Sequence, residues 1–194
     1  METYIIILLC IASFIAGFVD AIVGGGGLIQ TPAALILLPA QSVATIIGTL
    51  KIPAFSGTSI ATYQYLKQVK INWKLFAVMA IVSFTFAYLG SSLLNVTKND
   101  FMKPLLFVIL ILLLIYTYFK KDFGQFQSSN MSMKQQYVYA IIISIIIGFY
   151  DGFIGPGTGS LLIMAFIAFL GFDFMQASAN AKLVNLATNI GSIT

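Results

Sequence analysis

Hydrophobic positions in this chain are grouped into long runs that short polar segments separate. A helix needs about 20 apolar residues to cross a hydrocarbon core of ~30 Å. Runs long enough to do so are Tyr4–Val23, Ser42–Tyr65, Trp73–Leu94, Phe101–Phe119 and Gln136–Ile154, and a further span begins in Met175–Thr194. The pattern therefore predicts an all-α protein whose helices cross a membrane several times.

Two apolar runs are too short to span. Leu28–Leu38 and Ser160–Leu170 have 11 residues each, or ~17 Å of helix at ~1.5 Å per residue. Each follows a glycine-rich break, Gly24–Gly27 in the first case and Gly155–Gly159 in the second. We therefore expect two glycine-broken, re-entrant helices that reach about half-way across the bilayer.

Composition agrees with a membrane protein. Hydrophobic residues make up 59% and charged residues 8% of the chain, whereas soluble domains carry roughly 25% charged residues. The formal charge of +4 comes from lysines scattered through short gaps, which fits the positive-inside topology signal better than nucleic-acid binding. There is no His and the single cysteine is Cys10, so no cofactor or metal site is expected, and no nucleophile–base pair of an enzyme is evident.

Polar segments divide the chain and indicate its orientation. We predict a first transmembrane repeat at 1–120, a polar linker at 121–134 and a second transmembrane repeat at 135–194. The lysine-bearing segments Lys67–Lys74 and Lys120–Lys134 flank one helix pair, so both should lie on the same, cytoplasmic side of the membrane. The sequence leaves the side of the N-terminus open.

An internal repeat underlies this division. The segment Gly17-Phe18-Val19-Asp20 returns 131 positions later as Gly148-Phe149-Tyr150-Asp151. The same offset relates Gly24 to Gly155, Gly26 to Gly157 and Lys51 to Lys182. Recurrence of aspartate and lysine, both rare in the apolar runs, favours duplication over coincidence. If the short run after each break also ends on the opposite side, each unit has an odd number of crossings and the repeats are inverted.

The second repeat looks incomplete. Residue 194 corresponds to residue 63 of the first unit, so no counterparts of Trp73–Leu94 and Phe101–Phe119 follow. The pattern predicts either a piece of a longer protein, which we favour, or a degenerate second unit.

Four charged side chains lie inside apolar runs: Asp20, Asp151, Lys51 and Lys182. A charge at bilayer depth costs at least ~2.5–3.5 kcal/mol on insertion scales, so such residues are functional candidates. A central lysine lowers the cost of bringing in an anion, and free backbone N–H groups at a helix start favour negative charge too. The predicted substrate-binding residues are Lys51, Lys182, Gly24, Gly25, Gly26, Gly27, Gly155, Gly157, Thr49, Asn180 and Asn185.

Other interpretations of these residues stay open. Asp20 and Asp151 could be counter-ions of the lysines or carriers of a coupling proton. The sequence favours the counter-ion role slightly over the proton-carrying role. The lysines could form purely structural ion pairs with those aspartates. The glycines could serve close helix packing instead of ligand contact, and the polar residues could bond only to neighbouring helices.

The same residues carry a family resemblance. The segment 17–27 followed by Thr31-Pro32, together with Gly48-Thr49-Leu50-Lys51 and the stretch 177–189, resembles the signature segments of the sulfite exporter TauE/SafE family. The resemblance implies a bacterial, multi-pass inner-membrane permease for sulfite, sulfonates or related organosulfur anions. It also implies coupling to an ion gradient, with H⁺ or Na⁺ as the coupling ion, and allows a homo-oligomer.

The leading hypothesis is thus a secondary transporter that binds a small anion near the bilayer midplane. A passive anion channel would use the same residues without coupled movement, and counterflow of labelled substrate separates the two. A membrane scaffold would not need lysines at bilayer depth, and an intramembrane enzyme would need reactive groups that the sequence lacks.

Overall fold

The structure is a computed structural model that describes residues 3–23, 25–119 and 131–194. Within these ranges the regular structure is entirely helical, which confirms the all-α part of the prediction. The eight described helices are α1 Thr3–Val23, α2 Gly27–Leu37, α3 Val43–Leu66, α4 Trp73–Val96, α5 Asn99–Phe119, α6 Met133–Phe153, α7 Thr158–Leu170 and α8 Phe174–Ile193. Most of the predicted linker, at 121–130, lies outside the described residues.

Local chemistry sets where several helices begin. The side chains of Ser42, Asn72, Ser132 and Asp173 each accept a hydrogen bond from the backbone N–H three residues later. Such N-caps satisfy one of the donors that a helix start leaves unpaired. They fix the first turns of α3, α4, α6 and α8, and so the register of these helices.

Four described helices are long and apolar enough to cross a membrane: Thr3–Ala21, Val43–Leu66, Trp73–Val96 and Met133–Phe153. The short helices α2 and α7 have 11 and 13 residues, and α7 begins two residues before the predicted run of 11. α5 is not among the four, and the side chains of 114 and 116–119 lie outside the described part of the chain.

α8 also falls outside this group, which differs from the predicted span at Met175–Thr194. Residues 177–185 are buried at every position. α8 packs against α3, α4, α6 and α7. Because other helices cover it, α8 tolerates asparagine, serine and lysine that lipid would exclude. It is a central helix of the protein.

α4 and α6 approach each other very closely. A Cβ added to Gly148 would lie 2.9 Å from the Cα and the carbonyl oxygen of Ser83, and one added to Gly152 would collide with Ala87. Small residues at helix contacts let backbones approach in this way. This tight pair holds the end of α6, where Asp151 lies, against the rest of the protein.

The largest hydrophobic core lies beside this pair. Fully or nearly fully buried side chains from α4, α7 and α8 meet there, among them Leu75, Met79, Leu162, Phe166 and Val184. A second cluster joins α3 to α5 and to the end of α6. The two clusters position α3, α6 and α8, the helices that carry Lys51, Asp151 and Lys182.

Candidate functional site

A cavity of about 630 Å³ lies between α1, α2, α3, α8 and the connection from α6 to α7. Its polar lining includes Asp20, Gln30, Lys51, Asp151 and Asn185. Much of the remaining wall is apolar or backbone. Cavities of ~300–1,000 Å³ with few convergent polar groups are typical of small-molecule sites.

The connection between α6 and α7 turns sharply beside this cavity. Gly155 has φ +88° and Gly157 has φ +81°, left-handed values that residues with a Cβ rarely adopt. Thr158 then begins α7. Both glycines line the cavity, so the backbone itself forms part of the wall.

The two glycine breaks meet. A Cβ added to Gly27 would lie 3.1 Å from the Cα of Pro156, and one added to Gly25 would lie 3.2 Å from the Oγ of Ser160. Gly26 and Gly27 also line the cavity. Gly24, a predicted site residue, lies outside the described residues. The breaks of the two halves therefore share one wall.

Lys51 is held by the second half of the chain. Its Nζ lies 2.8 Å from Oδ2 of Asp151 and donates a hydrogen bond of 2.8 Å to the backbone carbonyl of the same residue. Both side chains are almost fully buried. Both residues nevertheless line the cavity.

Lys182 makes the reciprocal contact with the first half. Its Nζ lies 2.6 Å from Oδ2 of Asp20 and donates a hydrogen bond of 2.9 Å to the Asp20 carbonyl. The Nζ of each lysine thus contacts both the carboxylate and the backbone carbonyl of an aspartate in the other half of the chain. Since Lys182 follows Lys51 by 131 positions and Asp151 follows Asp20 by the same number, the two pairs are crossed equivalents.

Each aspartate also holds the break in its own half. Oδ1 of Asp20 accepts a hydrogen bond of 3.3 Å from the N–H of Gly26. Oδ1 of Asp151 accepts one of 2.6 Å from the hydroxyl of Thr158, whose oxygen also lies 2.7 Å from the Gly155 carbonyl. Breaking either ion pair would therefore alter a hydrogen bond at one of the glycine breaks.

The structure separates the predicted site residues into two groups. Those that line the cavity are Asp20, Gly26, Gly27, Lys51, Asp151, Gly155, Gly157 and Asn185. Lys182, Gly25, Asn180 and Thr49 are not part of the lining. Thr49 is exposed and donates to the Thr45 carbonyl, and buried Asn180 donates to the Gln176 carbonyl.

The cavity has polar lining residues that were missing from the predicted binding set, and three of them lie on α3, α7 and α8. Thr58, Thr158 and Asn189 all line it. Thr158 matches Gly27 under the repeat offset, so comparison of the two halves did not single it out. A usable signal was its place directly after Gly157, at the start of α7.

The charges of the site balance. Two lysines and two aspartates give no net charge, and burial of each lysine is compensated by a carboxylate at hydrogen-bonding distance. Within the described part of the chain, no group of three or more His, Cys, Asp or Glu side chains could hold a metal ion.

Comparison with known proteins identifies the family. A family profile described as sulfite exporter TauE/SafE matches residues 9–194. A probable membrane transporter protein, ORF9, from Sinorhizobium sp is 35% identical over 97% of this chain and 71% of its own length. A probable membrane transporter protein from Haemophilus influenzae is 35% identical over 96% and 71%, and YfcA of Escherichia coli K12 is 29% identical over 93% and 66%.

No solved structure matches the chain. The profile nevertheless covers both lysine–aspartate pairs and both glycine breaks, and the relatives are named as membrane transporters. The chain therefore belongs to the sulfite exporter TauE/SafE family of membrane transporter proteins.

Proposed function

We propose that this protein is a secondary transporter for a small anion, with Lys51 as the main binding group. The observation that carries the proposal is the position of Lys51, which is a buried cation at the wall of a cavity. Its Nζ donates one hydrogen bond to the Asp151 carbonyl and lies 2.8 Å from Oδ2 of Asp151, an oxygen that has no hydrogen-bond partner among the described residues. At least one further N–H of Lys51 thus has no acceptor among the described residues. That N–H is available to an anion in the cavity.

Backbone and amide donors support the choice of an anion. The N-termini of α2 and α7 border the cavity at Gly26–Gly27 and Gly157–Thr158. Helix starts carry unpaired N–H groups and the positive end of the helix dipole. The Nδ2 of Asn185 forms no hydrogen bond to a described residue, and Asn185 also lines the cavity.

The crossed ion pairs support a transport cycle built on two inverted repeats. A two-fold arrangement makes contacts reciprocal, so that residue i of one unit meets j of the other and the converse. The pairs Lys51–Asp151 and Lys182–Asp20 have this property. In our proposal α2 and α7 are re-entrant helices, and rocking of one repeat against the other opens the cavity to each side in turn.

The substrate proposed is sulfite, a sulfonate or a related organosulfur anion. A cavity of about 630 Å³ is larger than a single inorganic anion requires, so it has room for an organic group or for water around the anion. We further propose H⁺ or Na⁺ as the coupling ion and a bacterial inner-membrane location. Assembly into homo-oligomers is also part of this proposal.

The test is uptake by proteoliposomes that contain the full chain. Labelled sulfite and labelled methanesulfonate would be supplied with and without a pH gradient, and counterflow would be measured for each. Saturable uptake with counterflow is expected, because a carrier exchanges its substrate whereas a pore does not. Uptake of both anions equal to that of empty liposomes would argue against the proposal.

Lysine variants locate the site. Lys51→Met should abolish saturable uptake, and Lys182→Met should lower it strongly because Asp20 and the first break lose their anchor. The matched control is Lys70→Met, since Lys70 is exposed in the loop between α3 and α4. Uptake that survives Lys51→Met in a folded protein would show that this lysine is structural.

A further inference from the structure

We infer that Asp151 is the proton-carrying carboxylate of this protein, and that it takes up one proton when the transported monoanion displaces it from Lys51. This inference rests on the proposed function. It makes the coupled movement electroneutral, with one proton travelling beside one anion.

The first step is the occupancy of Lys51. The lysine that an anion in the cavity can reach is already paired with Asp151 Oδ2 at 2.8 Å. If the anion is to form an ion pair with Lys51, the ion pair between Lys51 and the Asp151 carboxylate must therefore break. A displaced, ionised Asp151 would remain beside the bound anion, and two like charges at a buried site repel strongly.

The second step is charge balance. Lys51, Lys182, Asp20 and Asp151 sum to zero before the anion enters. A monoanion alone would leave one uncompensated negative charge at membrane depth, which is energetically costly. Protonation converts the Asp151 carboxylate to a neutral acid, the proton binds a carboxylate oxygen, and the Lys51 ammonium then pairs with the anion. The loaded site is again neutral.

Surroundings distinguish Asp151 from Asp20. The partner of Asp20 is Lys182, which does not line the cavity, so an anion there need not disturb that pair. Asp151 is paired with Lys51 of α3, and the hydroxyl of the neighbouring Tyr150 donates to the Pro156 carbonyl. Among the helices that pack against α6, α8 carries Lys182 and α4 carries Lys74 and Tyr88. Asp20 of α1 lines the same cavity.

The hydrogen bond from Thr158 links this proton to the backbone break. It reaches Oδ1 of Asp151 at 2.6 Å, and the same hydroxyl lies 2.7 Å from the Gly155 carbonyl. A protonated Asp151 accepts a weaker hydrogen bond from the Thr158 hydroxyl than an ionised Asp151 carboxylate does. Proton uptake can thus be communicated to the start of α7, which borders the anion.

The test compares gradient-driven uptake with exchange. Methanesulfonate is the probe, because it stays a monoanion across the useful pH range. For the wild type, an inward proton gradient should raise the initial uptake rate several-fold, and an imposed membrane potential should not change it. Asp151→Asn should lose the stimulation by the gradient, measured as the ratio of gradient-driven uptake to counterflow in the same variant, because exchange needs no net proton movement.

Matched variants define the controls. Asp173→Asn changes the same side chain at an exposed N-cap of α8, where Asn caps equally well, and should keep full stimulation. Asp151→Glu retains a titratable group and should keep part of the stimulation by the gradient. Gradient stimulation that persists in Asp151→Asn would overturn the inference while leaving the transporter proposal intact.

Proton movement can also be measured in the wild type alone, which covers the case that Asp151→Asn fails to fold. A pH-sensitive dye inside the vesicles should report acidification of about one proton for each methanesulfonate taken up. Uptake without acidification would exclude proton coupling. Absence of any saturable methanesulfonate or sulfite exchange would instead remove the proposed function itself.

Discussion

The Nδ2 of Asn189 donates a hydrogen bond to the Oγ1 of Thr58 at 3.5 Å, and these residues are 131 positions apart. That separation is the offset of the internal repeat. Residues that match each other in two related units come into contact only near an axis that relates the units. The α3–α8 contact is therefore where we place the two-fold axis of the proposed repeats.

Cross-linking tests this contact. Thr58→Cys combined with Asn189→Cys, in a Cys10→Ser background, should form a disulfide quickly under mild oxidation. Thr49→Cys combined with Asn189→Cys should not, because Thr49 lies on the exposed face of α3. Gel mobility after proteolysis between the two cysteines gives the readout, and equal cross-linking of both pairs would contradict the α3–α8 arrangement.

Membrane topology tests inversion of the repeats. Single cysteines at Tyr4, Gln68 and Ser132 would be labelled in intact cells with a membrane-impermeant maleimide, again without Cys10. We expect the first to be labelled from outside and the other two only after permeabilisation, because the lysine-bearing segments mark the cytoplasm. Labelling of Tyr4 and Ser132 from the same side would rule out inverted repeats.

The ion pairs should differ in their stability effects. Lys51→Met leaves Asp151 buried without its cation, which typically costs about 3–5 kcal/mol. Lys182→Met should cost less, because the Asp20 side chain is 30% exposed and can be hydrated.

The control for this comparison is removal of both charges. Lys51→Met with Asp151→Asn should recover most of the lost stability, since no buried charge then remains unpaired. Thermal unfolding of the purified protein in one detergent ranks all four proteins, the wild type included. Equal losses from the two single lysine variants would contradict the difference in burial between Asp20 and Asp151.

Equivalent glycines of the two repeats give a matched packing test. Gly148→Ala should destabilise the protein by about 1–3 kcal/mol, because its Cβ would press on the backbone of Ser83. Gly17→Ala, at the equivalent position of α1, should be nearly neutral, since nothing lies within 4 Å of its Cβ position. Unfolding temperature distinguishes them, and similar losses at both sites would mean that α1 is packed as tightly as α6.

The second glycine break should be sensitive to a single methyl group. Gly155→Ala forces a Cβ onto a residue with φ +88°, at a cost of roughly 1–2 kcal/mol. Its Cβ would also lie 3.5 Å from the Nζ of Lys51. We expect transport to fall at least ten-fold with little loss of expression. Gly48→Ala, in open space on α3, is the control and should transport normally.

Much of the architecture follows from local sequence. The predicted and observed limits of α1, α2, α4 and α7 differ by two residues or fewer. Bilayer thickness fixes the length of an apolar run, and glycine, proline and capping residues mark its ends. The largest difference is at α6, which begins three residues before the predicted Gln136. The limits of α8 also agree within one residue, but the sequence did not indicate that other helices bury this helix.

The sequence by itself determined that four charges lie within apolar helices and recur at one offset, because burying a charge in a membrane is too costly to happen by chance. It could not determine which aspartate each lysine meets, since Lys51 could have paired with Asp20 of its own half. Only the tertiary structure decided that the pairs cross between halves and that Lys51, not Lys182, lines the cavity. Pairing depends on distances between helices that are 100 or more residues apart, and no local pattern records those distances.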